Sequence, residues 1–197
     1  MNIISRLYSI GIPSSLNLAL PSFMIIALNS ILTTYDDSYV LILGVYYKLQ
    51  TFLYFIVSGL VQGIRPIISY NEGAKQYKRV NSTFYISLLI SVVVMIIGTI
   101  LFLTIPDKLI GLFTNNSQTI TDGAHALRII SFGFIVSSFS VVISGVFEGL
   151  GNGFPSLIIS LTRYLLIILV AFILTRFMEV DGVWHAFYIT EIITLLN

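Results

Sequence analysis

The sequence has no cysteine at any of its 197 positions. That excludes disulfides, thiolate metal sites and cysteine nucleophiles together. Charge is scarce too: only 10% of the residues are Asp, Glu, Lys or Arg, against roughly 25% in soluble proteins. So few charges cannot cover a water-exposed surface. The net charge is +1 and no basic stripe marks a phosphate-binding face, so nucleic acid is not an expected partner. The apolar run after Arg6 ends on no small-residue cleavage site, so it is not a signal peptide. No His-x-x-x-His or acid-rich ligand pattern is present, and His125 and His185 stand in unrelated contexts. Gly149-Leu150-Gly151-Asn152-Gly153 follows an expected helix, not a strand, and so is no phosphate cradle. Neither an enzyme nor a metal or cofactor site is expected.

Oil is what the chain has in abundance. Hydrophobic residues make up 56% of it, and the mean hydropathy is +0.96. A bilayer core of ~30 Å takes roughly 20 apolar residues as a helix. Five stretches reach that length: Ile12–Thr34, Tyr39–Ile64, Thr83–Ile105, Ala126–Phe147 and Pro155–Phe177. A sixth, Val183–Leu196, would span only roughly 21 Å. It reads as a helix cut in the middle, with a short, steeply placed helix as the alternative. The stretches do not alternate as barrel strands do, and in lipid each helix satisfies its own backbone. The expected fold is therefore all-α: a polytopic transmembrane bundle forming one lobe over residues 1–197, with 183–197 incomplete.

Arg65, Lys75, Lys78 and Arg79 crowd the second loop, and Arg6 lies on the same side. The excess of Lys and Arg there puts the N-terminus in the cytoplasm. On the far side, Ile105–Phe113 places apolar residues at helical spacing beside Asp107 and Lys108. This is either an amphipathic interfacial helix or a loop buried under helix ends.

Ionised groups at mid-depth are costly and mark functional candidates. Lys48, Arg163 and Glu191 are three such groups, each about eight or nine residues inside its stretch. They either share a water-filled cavity, or they form a structural charge pair or snorkel on their long basic chains. Glu148, at the end of the fourth stretch, is expected to reach water. Polar stripes fall at helical spacing on three stretches: Ser15, Ser22 and Asn29; Lys48, Phe55, Gly59 and Gln62; Ser156, Ser160 and Arg163. Such stripes turn away from lipid. Asn29 and Gln62 are the better pathway candidates among them. Tyr46 and Tyr47 beside Lys48 offer aromatic walls for a flat cation. Gly59–Gly63 and Gly145–Gly149 are spaced for close helix packing.

Several stretches resemble the second half of the multidrug and toxic compound extrusion family. Gly59-Leu60-Val61-Gln62-Gly63-Ile64-Arg65-Pro66, followed by Tyr70-Asn71-Glu72-Gly73-Ala74-Lys75 and Arg79, is similar to the eighth helix and its loop. Gly145–Gly153 with Pro155 and Arg163 looks like the junction of the tenth and eleventh helices, and Val180–Trp184 like the entry to the twelfth. Gly11-Ile12-Pro13 resembles the start of the seventh. The resemblance implies a two-lobed secondary transporter of the cell membrane. It would export a small amphipathic cation in exchange for H⁺ or Na⁺, with an N-terminal lobe as partner. Some members bind the coupling ion through acids in the seventh and tenth helices. No acid stands between Ile12 and Thr34, nor between Ala126 and Phe147. The coupling carboxylate is therefore expected in the missing lobe. A lipid-linked oligosaccharide flippase of the same superfamily and a non-transporting orphan half-lobe are the alternatives.

Overall fold

A computed structural model describes residues 3–196. Asn197, which closes the sixth stretch, and the side chain of Arg6 lie outside the described residues. Among the described residues seven helices follow one another: α1 (Ile3–Leu32), α2 (Asp37–Gly73), α3 (Tyr77–Thr104), α4 (Pro106–Gly111), α5 (Ser117–Gly149), α6 (Gly153–Met178) and α7 (Asp181–Leu196). No strand occurs among the described residues. Five helices are long and apolar enough to cross a membrane: α1, α2, α3, α5 and α6. The chain is an all-helical, multi-pass membrane protein.

Hydropathy located the apolar stretches but not the helix ends. The 37 residues of α2 reach about 55 Å, well beyond a ~30 Å hydrocarbon core. Its polar end, Arg65 to Gly73, stays helical as far as a capping turn, although Pro66 within it has no N–H to give to the ladder. In that turn the Gln76 N–H donates to the Asn71 carbonyl at 2.8 Å and the Lys75 N–H to Glu72 at 2.9 Å. Lys75 takes φ +56° to close it. The end of α5 repeats the motif: Asn152 N–H donates to Phe147 and Gly151 N–H to Glu148, with Gly151 at φ +80°. These are Schellman closures. The Asn71–Lys75 signature is thus a helix cap, and the buried Asn71 side chain donates back to the Ile67 carbonyl at 2.8 Å.

The far ends are capped by side chains. The Asp36 carboxylate accepts from the Ser38 N–H at 2.8 Å, and that backbone donor holds its pKa below the ordinary aspartate value. Asn116 accepts from the N–H groups of Gln118 and Thr119, so α5 begins at Ser117 rather than in the apolar run. The segment before it folds into the short α4.

α5 is the axis of the lobe; α2, α3, α4, α6 and α7 all pack on it. Its small residues explain how. A side chain at Gly123 would press on Ile110 of α4; at Gly133 it would lie 3.2 Å from the Tyr188 Cα of α7. At Gly145 it would strike Val61, and at Gly149 it would meet the Arg65 carbonyl of α2 at 3.2 Å. Gly145 and Gly149 pack α5 on α2, as their spacing predicts. Gly59 and Gly63 correct the parallel expectation: both are exposed, with nothing within 4 Å of a Cβ. The packed face of α2 runs through Val57, Val61, Ile64 and Ile68, and two residues along a helix is about 200° of rotation. Where α6 returns into α7, Gly182 lies so close that a Cβ would sit 2.5 Å from the Leu174 carbonyl carbon. Large apolar residues such as Phe23, Phe52, Leu89 and Phe172 cover the outside, as lipid contact requires.

Candidate functional site

Five helices leave space between them. A cavity of about 450 Å³ opens among α1, α2, α5 and α6, and a second of about 370 Å³ among α1, α2, α6 and α7. Asn17, Leu18, Tyr54, Ser58, Arg163 and Tyr164 line both, so the two adjoin. Each cavity holds one Arg–Glu pair in its wall.

The first pair lies near the α2–α3 turn. Arg65 Nη2 meets Glu148 Oε2 at 2.5 Å. The other carboxylate oxygen accepts from Ser156 Oγ at 2.8 Å and Asn17 Nδ2 at 3.3 Å. Asn17 Nδ2 also lies 3.1 Å from Ser156 Oγ. Ser156 spends its one proton on Glu148, so Ser144, at 2.6 Å, must donate to Ser156. Glu148 was expected in water; instead its side chain is only 10% exposed. Four helices converge on it, and their donors replace hydration.

The second pair is deeper. Arg163 Nη2 meets Glu191 Oε1 at 2.5 Å, with both side chains largely buried. The same nitrogen donates to the Tyr54 hydroxyl at 3.3 Å. Tyr54 donates to Ser137 at 2.5 Å, and Ser137 to the Phe134 carbonyl at 2.7 Å. One chain of bonds thus joins α7, α6, α2 and α5. Its weak point is Glu191 Oε2, which is buried with no hydrogen-bond partner. The Glu191 stem packs beside Gly133, where a Cβ would lie in ordinary contact with Glu191 Cγ at 3.6 Å.

The remaining candidates divide. Gln62 lines the first cavity and Tyr47 the second. Tyr46 does not form a wall; it is buried between Phe134, stacked at 6.4 Å, and Phe187, edge-on at 5.0 Å. Lys48 does not join Arg163 and Glu191. It is exposed, with its ammonium 5.6 Å from the Phe113 ring near the opposite end of the bundle, as a snorkelling base would be. Asn29 is half-buried, and its Oδ1 is sealed without a partner. Asn17 was missed. It stands in line with Pro21, Met24 and Leu28 at helical spacing, and that line is the inward face of α1: Met24 and Leu28 are buried. Ser15 and Ser22 are exposed.

At the opposite end, Asp36, Asp122, Glu179 and Asp181 line a depression of about 680 Å³. His125 meets Asp181 there at 3.2 Å, and His185 lies 2.9 Å from the Asp181 carbonyl.

The MatE family model matches residues 13–173. The chain belongs to the MatE family. The Staphylococcus aureus (strain NCTC 8325 / PS 47) relative named multidrug export protein MepA is 25% identical over 188 residues. That match covers 95% of this chain and 42% of the relative. Among solved structures, the MATE multidrug transporter DinF-BH, in complex with R6G, is 28% identical with a TM-score of 0.86 over 98% of this chain and 44% of the other. A MATE structure in the straight conformation has a TM-score of 0.92 at 19% identity, over 98% and 44% of the two chains. This MatE chain therefore spans less than half the length of the relatives it matches. The pairs Arg65–Glu148 and Arg163–Glu191 belong to one lobe of such a protein.

Proposed function

We propose that this chain is the lobe corresponding to the seventh to twelfth helices of a secondary-active exporter in the plasma membrane. The whole protein would exchange H⁺ or Na⁺ for an amphipathic organic cation. The observation that carries this reading is the pair of adjoining cavities between α1, α2, α5, α6 and α7, walled by tyrosines and internally neutralised charge. Such a space accepts a flat, partly apolar solute, and alternating access needs a site of this kind at the lobe interface. Relatives named for multidrug export support it. The four carboxylates around the opposite depression add a field that draws cations toward that mouth.

Both carboxylates in the cavity walls are already held by arginines. The counter-charge for a cation and the coupling-ion site therefore fall to the other lobe. The basic α2–α3 turn, with Lys75, Lys78 and Arg79, is cytoplasmic on this reading, and so is the N-terminus. The test is ethidium efflux from cells expressing the full-length protein. Export that collapses with an ionophore is expected. Accumulation equal to that of vector-only cells rules the reading out. The flippase alternative draws on Arg163 in the cavity wall, because a pyrophosphate is anionic; movement of a lipid-linked sugar without ethidium efflux would decide for it.

A further inference from the structure

We propose that Arg163 forms an oxyanion-binding subsite. It takes the carboxylate, sulfonate or phosphate group of an amphiphile whose apolar body lies in the cavity between α1, α2, α6 and α7. This rests on the preceding reading only in requiring that the cavity admit a solute.

A guanidinium carries five N–H donors. In Arg163, Nη2 serves Glu191 and the Tyr54 hydroxyl. Among the described residues, nothing accepts from Nε or Nη1, and neither atom is sealed from solvent. Three N–H groups are left for a ligand. Glu191 is disposed the other way. One oxygen is held by Arg163, and the other is buried out of reach. Both partners line the cavity, but only Arg163 keeps N–H groups there for a ligand.

The surroundings agree. The guanidinium carbon lies 6.0 Å from the Tyr54 ring centre and 5.6 Å from that of Tyr164, which gives an aromatic body a place beside the charge. Arg65 stands in the wall of the adjoining cavity, its Nε sealed from solvent. An ammonium placed here would find both carboxylates already held by guanidiniums. An oxyanion would gain charge-assisted bonds, the stronger kind.

The test is equilibrium binding to the full chain in phosphatidylcholine nanodiscs, with no ion gradient. Three probes share one ring system: anthracene carboxylate, anthracene methanol and anthracene methylammonium. The carboxylate is expected to bind about tenfold tighter than the alcohol. Arg163→Gln should remove that preference, and Arg163→Lys should keep part of it. Glu191→Gln, which frees Nη2, should strengthen carboxylate binding. If Arg163→Gln does not fold, the other two variants still decide. Equal binding of carboxylate and alcohol overturns the proposal. So does tightest binding of the ammonium, lost in Glu191→Gln. Replacing part of the phosphatidylcholine with phosphatidic acid locates the source. Displacement of the carboxylate assigns the subsite to a lipid headgroup, and undisturbed binding assigns it to a solute. Failed ethidium efflux with intact carboxylate binding counts against the export reading and leaves this site standing.

Discussion

Arg65–Glu148 and Arg163–Glu191 share the same chemistry and the same 2.5 Å separation, yet they are finished differently. Around Glu148, donors from α1, α2 and α6 fill both oxygens. Glu191 has one oxygen filled and one orphaned, and its partner keeps three donors in reserve. A carboxylate with both oxygens filled ties its helices in register, although Arg65 Nε and Asn17 Oδ1 beside it are sealed without partners. A buried carboxylate oxygen left unfilled carries a desolvation cost with no structural return. The first pair therefore reads as a clamp and the second as a working group.

The heaviest test of that contrast is Arg163→Ala. It leaves Glu191 buried and unpaired, and should cost about 3–5 kcal/mol of stability, measured by thermal unfolding of the full-length protein in detergent. Glu148→Ala should cost less, about 1–3 kcal/mol, because the abandoned Arg65 side chain is 40% exposed and can turn to water. If Glu148→Ala proves the more damaging, the contrast is broken. Tyr54→Phe should cost only about 1 kcal/mol, since Ser137 keeps its bond to the Phe134 carbonyl. A double-mutant cycle of Tyr54→Phe with Arg163→Lys sharpens the result: coupling above about 0.5 kcal/mol shows the deeper chain acting as a unit. Smallest is Lys75→Gly at the end of α2. It relieves a left-handed non-glycine residue and should add up to about 1 kcal/mol, raising the midpoint without touching either pair.

Much of this lobe was legible in the sequence because lipid makes strong demands. Long apolar runs had to be helices, and Arg163 and Glu191 stood out as ions at depth. Gly145 and Gly149 were correctly read as packing residues. What spacing could not give was direction. The heptad through Ser15, Ser22 and Asn29 looked like a polar face, while the inward face of α1 is set by Asn17 with Met24 and Leu28. Gly59 and Gly63 have the same spacing as Gly145 and Gly149, but their neighbours are absent from this chain's own packing. Tyr46 and Tyr47 are adjacent, so a helix turns them about 100° apart; one enters the core and the other the cavity. Lys48 sits at the right depth by count, yet its long stem carries the charge toward Phe113.

The four notches along α5, at Gly123, Gly133, Gly145 and Gly149, each receive a different side chain or backbone segment. A spindle drilled at four heights and pegged at each has no plane along which its neighbours can slide. Whatever swing this lobe makes, α2, α4, α5 and α7 make it as one casting, and any bending falls to the helices not pegged there.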